Sequence, residues 1–154
     1  MSSTTHTISA GALVCHDDRL LLVRHVRPGR YDFRVPPGGQ VEAAASLEDA
    51  AVRECLEETG LRVEQPRLAY VEEFHCPGRR YVKFWFACTL VGGELSIAHP
   101  STQVEHIVDA GWFTREAMAT ETVQPPFLAE RYWSDREAGF PSIVRMPLRA
   151  MVYW

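Results

Sequence analysis

The chain has 154 residues, 46% of them hydrophobic, which suits one globular domain over residues 1–154 with a core of ordinary size and disfavours two. Sixteen basic residues against twenty acidic ones leave a formal charge of -4, which excludes the broad positive field that duplex nucleic acid demands and leaves room only for a local basic pocket. Fifteen of the sixteen basic residues are arginine and only Lys83 is lysine. The planar guanidinium fits bidentate phosphate or carboxylate contacts, although a bias in genomic base composition gives the same count. Cys15, Cys55, Cys76 and Cys88 form no C-x-x-C pair, so free thiols in a reducing cytosol are expected rather than a zinc or redox motif. The N-terminal residues carry no basic start and no long apolar core, and no run of eighteen apolar residues occurs, so a soluble cytoplasmic protein with no membrane partner is expected.

In chain order, "TISAGALVCHDDRLLLVRHVR" alternates toward apolar residues, breaks at Asp17-Asp18 and resumes, which predicts an antiparallel hairpin. "YDFRVPPGGQVE" predicts a rigid loop: Pro36-Pro37 stiffen its entry and Gly38-Gly39 open a backbone path closed to other residues. "SLEDAAVRECLEETG" is a helix, with Ser46 and Asp49 at the spacing of a capping-box variant and Gly60 at the C-terminal cap. "RLAYVEEFHC", "RRYVKFWFACTLVGGELS" and "EHIVDAGWF" predict three more strands, the first two joined around Pro77-Gly78. "TREAMATE" and "PPFLAERYWSDREAG" predict helices beginning near Thr114 and near Pro125-Pro126, and "SIVRMPLRAMVYW" is a last strand or an irregular tail. The order of elements is α+β, with a mixed or antiparallel sheet between helices.

The helix carries the chemistry. At about 100° per residue, Glu57, Glu54 and Glu58 fall at about 280°, 340° and 20° around its axis, in one narrow sector. Like charges at i and i+4 cost roughly a few tenths of a kcal/mol in an isolated helix, so something must offset the repulsion of Glu54 and Glu58. A hard divalent cation such as Mg²⁺ or Mn²⁺ does so, since its shell takes one or two carboxylates, waters and substrate phosphates. The backbone carbonyl of Gly38 or Gly39 is a further oxygen within reach of such an ion. A glutamate-rich face that is merely solvated accounts for the same spacing.

"GGQVEAAASLEDAAVRECLEETGL" resembles the Nudix box, G-x5-E-x7-R-E-U-x-E-E-x-G-U with U a bulky aliphatic residue. Gly39, Arg53, Glu54, Glu57, Glu58, Gly60 and Leu61 match at the required spacings, and "PPGG" before the helix is typical of the family. The resemblance implies an α/β/α sandwich with a mixed central sheet, and Mg²⁺-dependent hydrolysis of a diphosphate bond in a nucleoside diphosphate derivative. ADP-ribose, a nucleotide sugar and a nucleoside triphosphate are the substrates it brings forward, and relatives often pair as dimers. Ala45 stands where the box has its first glutamate, Ala44 where a glycine is usual, and Cys55 takes the aliphatic slot. A buried thiol is a small hydrophobe, so Cys55 is a mild change. Ala45 is expected to leave Arg53 one anchor short, with Glu42 as a partial substitute.

The resemblance assigns Glu54, Glu57 and Glu58, with the backbone at Gly38, to the metal, makes Glu54 or a carboxylate outside the box such as Glu105 the general base, and uses Arg53 to orient Glu57. Arg24 matches a position where relatives often place a phosphate-binding arginine, and Arg34 precedes the Gly-Gly loop; both are candidate substrate contacts, with a solvated strand charge as the alternative. Tyr31, Phe33, Phe74 and Tyr81 are candidates for stacking on a base, whereas Phe84 and Phe86 read as core by alternation. Pro77 stands where relatives that cleave ADP-ribose carry a proline, and a Pro-Gly turn explains it equally. The histidines lack metal-ligand spacing, and no P-loop or G-x-S-x-G elbow is present. Two other readings of the fold stand beside the hydrolase: a module that binds a nucleotide without cleaving it, favoured by Ala45, and a prenyl diphosphate isomerase, for which no matching cysteine and glutamate pair is visible.

Overall fold

Ten consecutive pairings along one edge make the N-terminal strand the spine of the molecule. In the computed structural model, which describes residues 2–152, β1 (Thr5–His16) runs parallel to β6 (Arg79–Gly93) from Thr5↔Arg79 to Val14↔Cys88. Its other edge takes β4 (Gly38–Gln40) and the start of β2 (Arg19–Arg27), both antiparallel. The turn between β1 and β2 has positive φ at Asp17 (49°) and Asp18 (56°), the conformation whose twist suits a two-residue hairpin. β3 (Tyr31–Val35) and β7 (Ile107–Phe113) flank β2, and β5 (Leu61–Cys76) pairs antiparallel with β6. The order β3-β2-β1-β6-β5-β8 (β8, Val144–Arg145), with β4, β7 and β9 (Arg149–Ala150) off that path, is one mixed nine-stranded sheet.

Period-2 alternation along β1 divides its side chains between two cores. Ala10, Ala12 and Val14 face α1 (Leu47–Thr59), whose Ala50, Ala51 and Cys55 are fully buried with Leu21, Leu61 and Phe86. Leu13 faces the other way, with Leu20, Leu22, Tyr70 and Trp85. That core is closed by Met118 of α3 (Arg115–Met118), Phe127 and Leu128 of α4 (Phe127–Glu130), and Tyr132 and Trp133 of α5 (Tyr132–Glu137). The result is the expected α/β/α sandwich. No helix among the described residues is long and apolar enough to cross a membrane.

The structure departs from the sequence expectations at five places. The Pro-Gly stretch is not loop throughout, because Gly38–Gln40 pairs with Ser9–Gly11 and Pro37 O accepts from Ala12 N at 2.9 Å. β5 begins at Leu61, directly after the helix, and crosses three register shifts that the alternation did not reveal. The expected C-terminal helix is broken at Arg131 (φ -140°) into α4 and α5. A short helix, α2 (Pro100–Val104), was not expected, and the tail forms two short strands, β8 (Val144–Arg145) and β9 (Arg149–Ala150), parallel to β5. Tyr153 and Trp154, the end of the tail expectation, lie outside the described residues.

Gly60 ends α1 in the left-handed region (φ 75°), and a Cβ there would stand 2.3 Å from Glu94 O. A left-handed L-residue costs roughly 1–2 kcal/mol before any clash. Gly60→Ala is therefore expected to lower the melting temperature by about 4–8 °C, read by circular dichroism at fixed pH.

Candidate active site

Both ends of α1 are fixed by local chemistry. Ser46 Oγ accepts from Asp49 N at 3.0 Å, and the Gly60 N–H donates to Leu56 O. So fixed, the helix turns two of its three box glutamates inward: Glu58 is 1% exposed and Glu54 is 9% exposed, whereas Leu56 is 46% exposed. The carboxylates are thus not a solvated face. They press on β4, whose glycines make room for them. A Cβ on Gly39 would stand 2.6 Å from Glu54 Oε1, and one on Gly38 would stand 2.7 Å from Ala10 O. The Gly38 N–H donates to Glu58 Oε2 at 3.2 Å, while the buried Glu58 Oε1 has no hydrogen-bond partner.

Arg53 organises the outer part of this cluster. Its Nη1 donates to Glu57 Oε2 at 3.0 Å, and its Nη2 donates to Glu54 Oε1 at 3.1 Å and to Gln40 O at 3.4 Å. Glu42 approaches Nη1 only to 3.8 Å, and the buried Nε has no partner. That orphaned donor lies on the residue that Ala45 was expected to leave one anchor short.

A cleft of about 580 Å³ opens beside the cluster, within the usual range for a small-molecule site. Glu54, Arg53, Gly38, Gly39 and Glu42 form one wall. Two stacked aromatic pairs also line it, His25 on Phe33 (5.4 Å between centroids) from β2 and β3 and Phe74 on Tyr81 (5.0 Å) from β5 and β6, together with Glu105 at the corner between α2 and β7. The floor is a hydrogen-bonded relay: Trp85 Nε1 donates to Glu72 Oε1 at 3.0 Å, and Arg149 Nη2 donates to Glu72 Oε2 at 3.3 Å. Lys83 Nζ sits 4.3 Å from the centroid of the Trp85 ring.

Burial controls the electrostatics. It pushes the Glu58 carboxyl well above its ordinary value and Glu54 reinforces the shift, while Lys83 and the Gly38 N–H oppose it. Glu54 is raised by burial as well, against the pull of Arg53. Burial lowers Lys83, against Glu72, Glu58, Glu54 and Glu105. His25 falls to about 4, chiefly by burial, so it is neutral near pH 7 and its Nδ1 is the donor toward Glu105 O at 2.8 Å.

Among the described residues no three His, Cys, Asp or Glu side chains converge as a ready-made metal cage. The donor set nonetheless fits a hard divalent ion. Burial raises both carboxylates and Glu54 adds to the shift of Glu58, one of their oxygens is unpartnered, and Mg²⁺ completes its shell with water and phosphate oxygens rather than with protein alone.

Of the residues expected from sequence, Glu54, Arg53, Gly38, Glu105, Phe33, Phe74 and Tyr81 meet in the cleft. Glu58 lies just behind Gly38, and Glu57 is turned to Arg53. Arg24 and Arg34, expected as substrate contacts, do not line the cleft. Arg24 is held by Asp32 at 2.8 and 2.7 Å, and Arg34 is buried against Phe113 beside Asp109 and Glu121. Each strand arginine is engaged by a carboxylate that only the fold brings near. Phe86 is core, Phe84 packs at its edge, and Pro77 stands outside the cleft in the turn between β5 and β6. Sequence reasoning missed His25, Glu72, Lys83, Trp85 and Arg149. Tyr81, Lys83 and Trp85 alternate on one face of β6, a signal present in the sequence once Tyr81 is placed in a site.

The NUDIX domain family profile matches residues 5–132. The chain belongs to the Nudix family. It is 36% identical over 104 residues to a MutT-like protein of Streptomyces ambofaciens, covering 67% of this chain and 64% of that protein. It is 35% identical over 121 residues to the NAD-capped RNA hydrolase NudC of Pseudomonas aeruginosa, covering 77% of this chain and 38% of that one. The chain therefore spans less than two thirds of the length of either relative. The solved NUDIX hydrolase from Nitrosomonas europaea superposes with a TM-score of 0.72 at 26% identity, over 88% of this chain and 90% of that one. In Nudix terms, the box helix, its glycine approach and the adjoining cleft form one unit.

The raised Glu58 carboxyl carries a sign that can be checked without metal. Between its ordinary value of 4.5 and its higher folded value, the folded chain holds a proton that the unfolded chain has lost, so stability falls as pH rises through that window. In EDTA, Glu58→Gln is expected to melt higher than the parent protein at neutral pH and to show a shallower decline of melting temperature above pH 4.5. A series of thermal melts across pH reads both.

Proposed function

We propose that this Nudix protein, acting as a single domain, is a diphosphohydrolase that cleaves a phosphoanhydride bond in a nucleoside diphosphate derivative with Mg²⁺ as its cofactor. The observation that carries the reading is the buried Glu54 and Glu58 pair, pressed on Gly38-Gly39 at the wall of a cleft that two stacked aromatic pairs also line. The name of one relative gives NAD-capped RNA as what that protein hydrolyses, a further nucleotide diphosphate linkage. ADP-ribose, nucleotide sugars and nucleoside triphosphates share the chemistry: an anionic diphosphate for a cation held by the carboxylates and a flat base for the aromatic pairs.

Glu54 and Glu58 would hold the ion, with the backbone at Gly38 beside them. When bound, Mg²⁺ neutralises phosphate charge and makes water a stronger nucleophile. The Gly38 N–H fixes one Glu58 oxygen, and Arg53 fixes Glu54 and Glu57, so the carboxylates are oriented before substrate arrives. Glu105, which lines the cleft and lies outside the box, would accept the proton of the attacking water, and Glu54 is its rival for that role. Phe33, Phe74 and Tyr81 provide faces for a base.

One observation favours a second reading, a nucleotide-binding module without turnover: the buried Arg53 Nε has no partner, as expected where Ala45 replaces the first glutamate of the box. A panel of nucleoside diphosphate derivatives, with added phosphatase and with or without Mg²⁺, separates the two. Metal-dependent phosphate release is expected, and tight nucleotide binding with no release would reject the enzyme. Glu58→Gln is expected to lower kcat by about two to three orders of magnitude, the scale of losing one preorganised electrostatic contact. Glu105→Gln distinguishes the bases: a fall in rate with unchanged Mg²⁺ affinity assigns the proton to Glu105, and an unchanged rate assigns it to Glu54.

A further inference from the structure

Among the described residues, three cationic side chains and one imidazole line the cleft proposed for a substrate that would carry at least two negative charges. Three of them are occupied. Arg53 is shared among Glu42, Glu54 and Glu57, Arg149 is drawn onto Glu72, and His25 is neutral and directs Nδ1–H to Glu105 O. Lys83 is different. Among the described residues no carboxylate lies within 4.0 Å of Nζ and no acceptor takes a hydrogen from it; its one close partner is the Trp85 ring. A ring face satisfies charge without saturating three N–H donors. An ammonium in a cleft with its donors unsatisfied has lost hydration that a ligand's oxygens can replace.

Its position is fixed from below and beside. Glu72 pairs across the strands with Lys83, and Trp85, two residues on, holds Glu72 through its indole N–H and presents its ring to Nζ. On the other side, a Cβ on Gly38 would stand 3.1 Å from Nζ, which places the ammonium against the same glycine whose N–H holds Glu58. Lys83 therefore lines the cleft with Gly38 on one side and Glu72 and Tyr81 on the other, within reach of a diphosphate bound beside the glutamates.

We propose that Lys83 is a substrate-anchoring residue that binds a phosphate of the diphosphate directly, with the Trp85 ring holding the ammonium in place. This rests on reading the cleft as a diphosphate site. The rival role is a fixed counter-ion for Glu58 and Glu72 that never touches substrate. Lys83→Met keeps the stem and removes the charge, while Lys83→Arg keeps a cationic donor. The probe is α,β-methylene ADP, which is not cleaved at its diphosphate bridge, titrated calorimetrically into the full chain in MgCl₂, with Mg²⁺ alone titrated in parallel and thermal melts confirming that each variant is folded.

The expected result is that Lys83→Met weakens the probe by about tenfold or more, the scale of one charge-assisted hydrogen bond, and that Lys83→Arg recovers most of the loss. With the substrate found in the hydrolysis panel, Lys83→Met is expected to raise KM. Probe affinity unchanged in Lys83→Met overturns the proposal, as does a Lys83→Arg variant no better than Lys83→Met. So does an effect confined to the titration of Mg²⁺ alone, which identifies the counter-ion. Wild-type protein that hydrolyses the panel with KM unmoved by Lys83→Met removes this role alone. Wild-type protein that neither binds the probe nor hydrolyses anything removes the diphosphate reading with it.

Discussion

The rest of the site depends on how closely a helix carboxylate can approach a strand. Glu54 and Glu58 are buried because β4 offers them backbone without side chains: at Gly39 the space a Cβ would fill is already held by the Glu54 carboxylate, and at Gly38 an N–H reaches Glu58. Two adjacent buried carboxylates are costly in an apolar interior, and the protein offsets that cost with one backbone donor, one arginine and a neighbouring lysine. An unsatisfied oxygen on Glu58 remains. Such a pair favours a proton or a cation, and the proposed activity uses the second.

Rigidity on both sides keeps that approach in register. α1 is capped at Ser46 and Gly60 and seated by Ala50, Ala51 and Cys55 against β1 and β6, where small side chains let the helix lie close to the sheet. The opposite face of the sheet is closed by Trp85, Tyr70 and the short C-terminal helices, with Tyr70 OH donating to Asp135 and Arg131 bracing the same carboxylate. Trp85 belongs to both regions: it fills the core above Gly11 and also supplies the indole N–H and ring face that organise the cleft floor. Core packing and site geometry are therefore coupled through one side chain.

The charge pattern of the cleft follows from pairing rather than from net charge. Acidic residues outnumber basic ones along its walls, yet most of its cations are committed: Arg53 to the box, and Arg149, delivered by the tail strand β9, to Glu72. What faces the cavity is a set of carboxylates, two stacked aromatic pairs and Lys83, an arrangement suited to a ligand with an anionic centre and an apolar end.

The sequence by itself determined the helix, its caps, the hairpin, the layer order and the chemistry of the box, because each is written in local spacing: Ser46 before the helix, Gly60 after it, three glutamates in one sector and alternation along the first strands. It placed Phe86 in the core and named Phe33, Phe74, Tyr81 and Glu105, which the fold brings to the cleft. Arg24 and Arg34 could not be resolved locally, since their carboxylates, Asp32, Asp109 and Glu121, become neighbours only when β3, β7 and the segment after α3 converge. Only the tertiary structure decided which glutamates are buried, which cations are already paired, and that Lys83, Glu72, Trp85 and Arg149 share one floor. Strand register and long-range pairing settle those contacts, and no window of consecutive residues contains them.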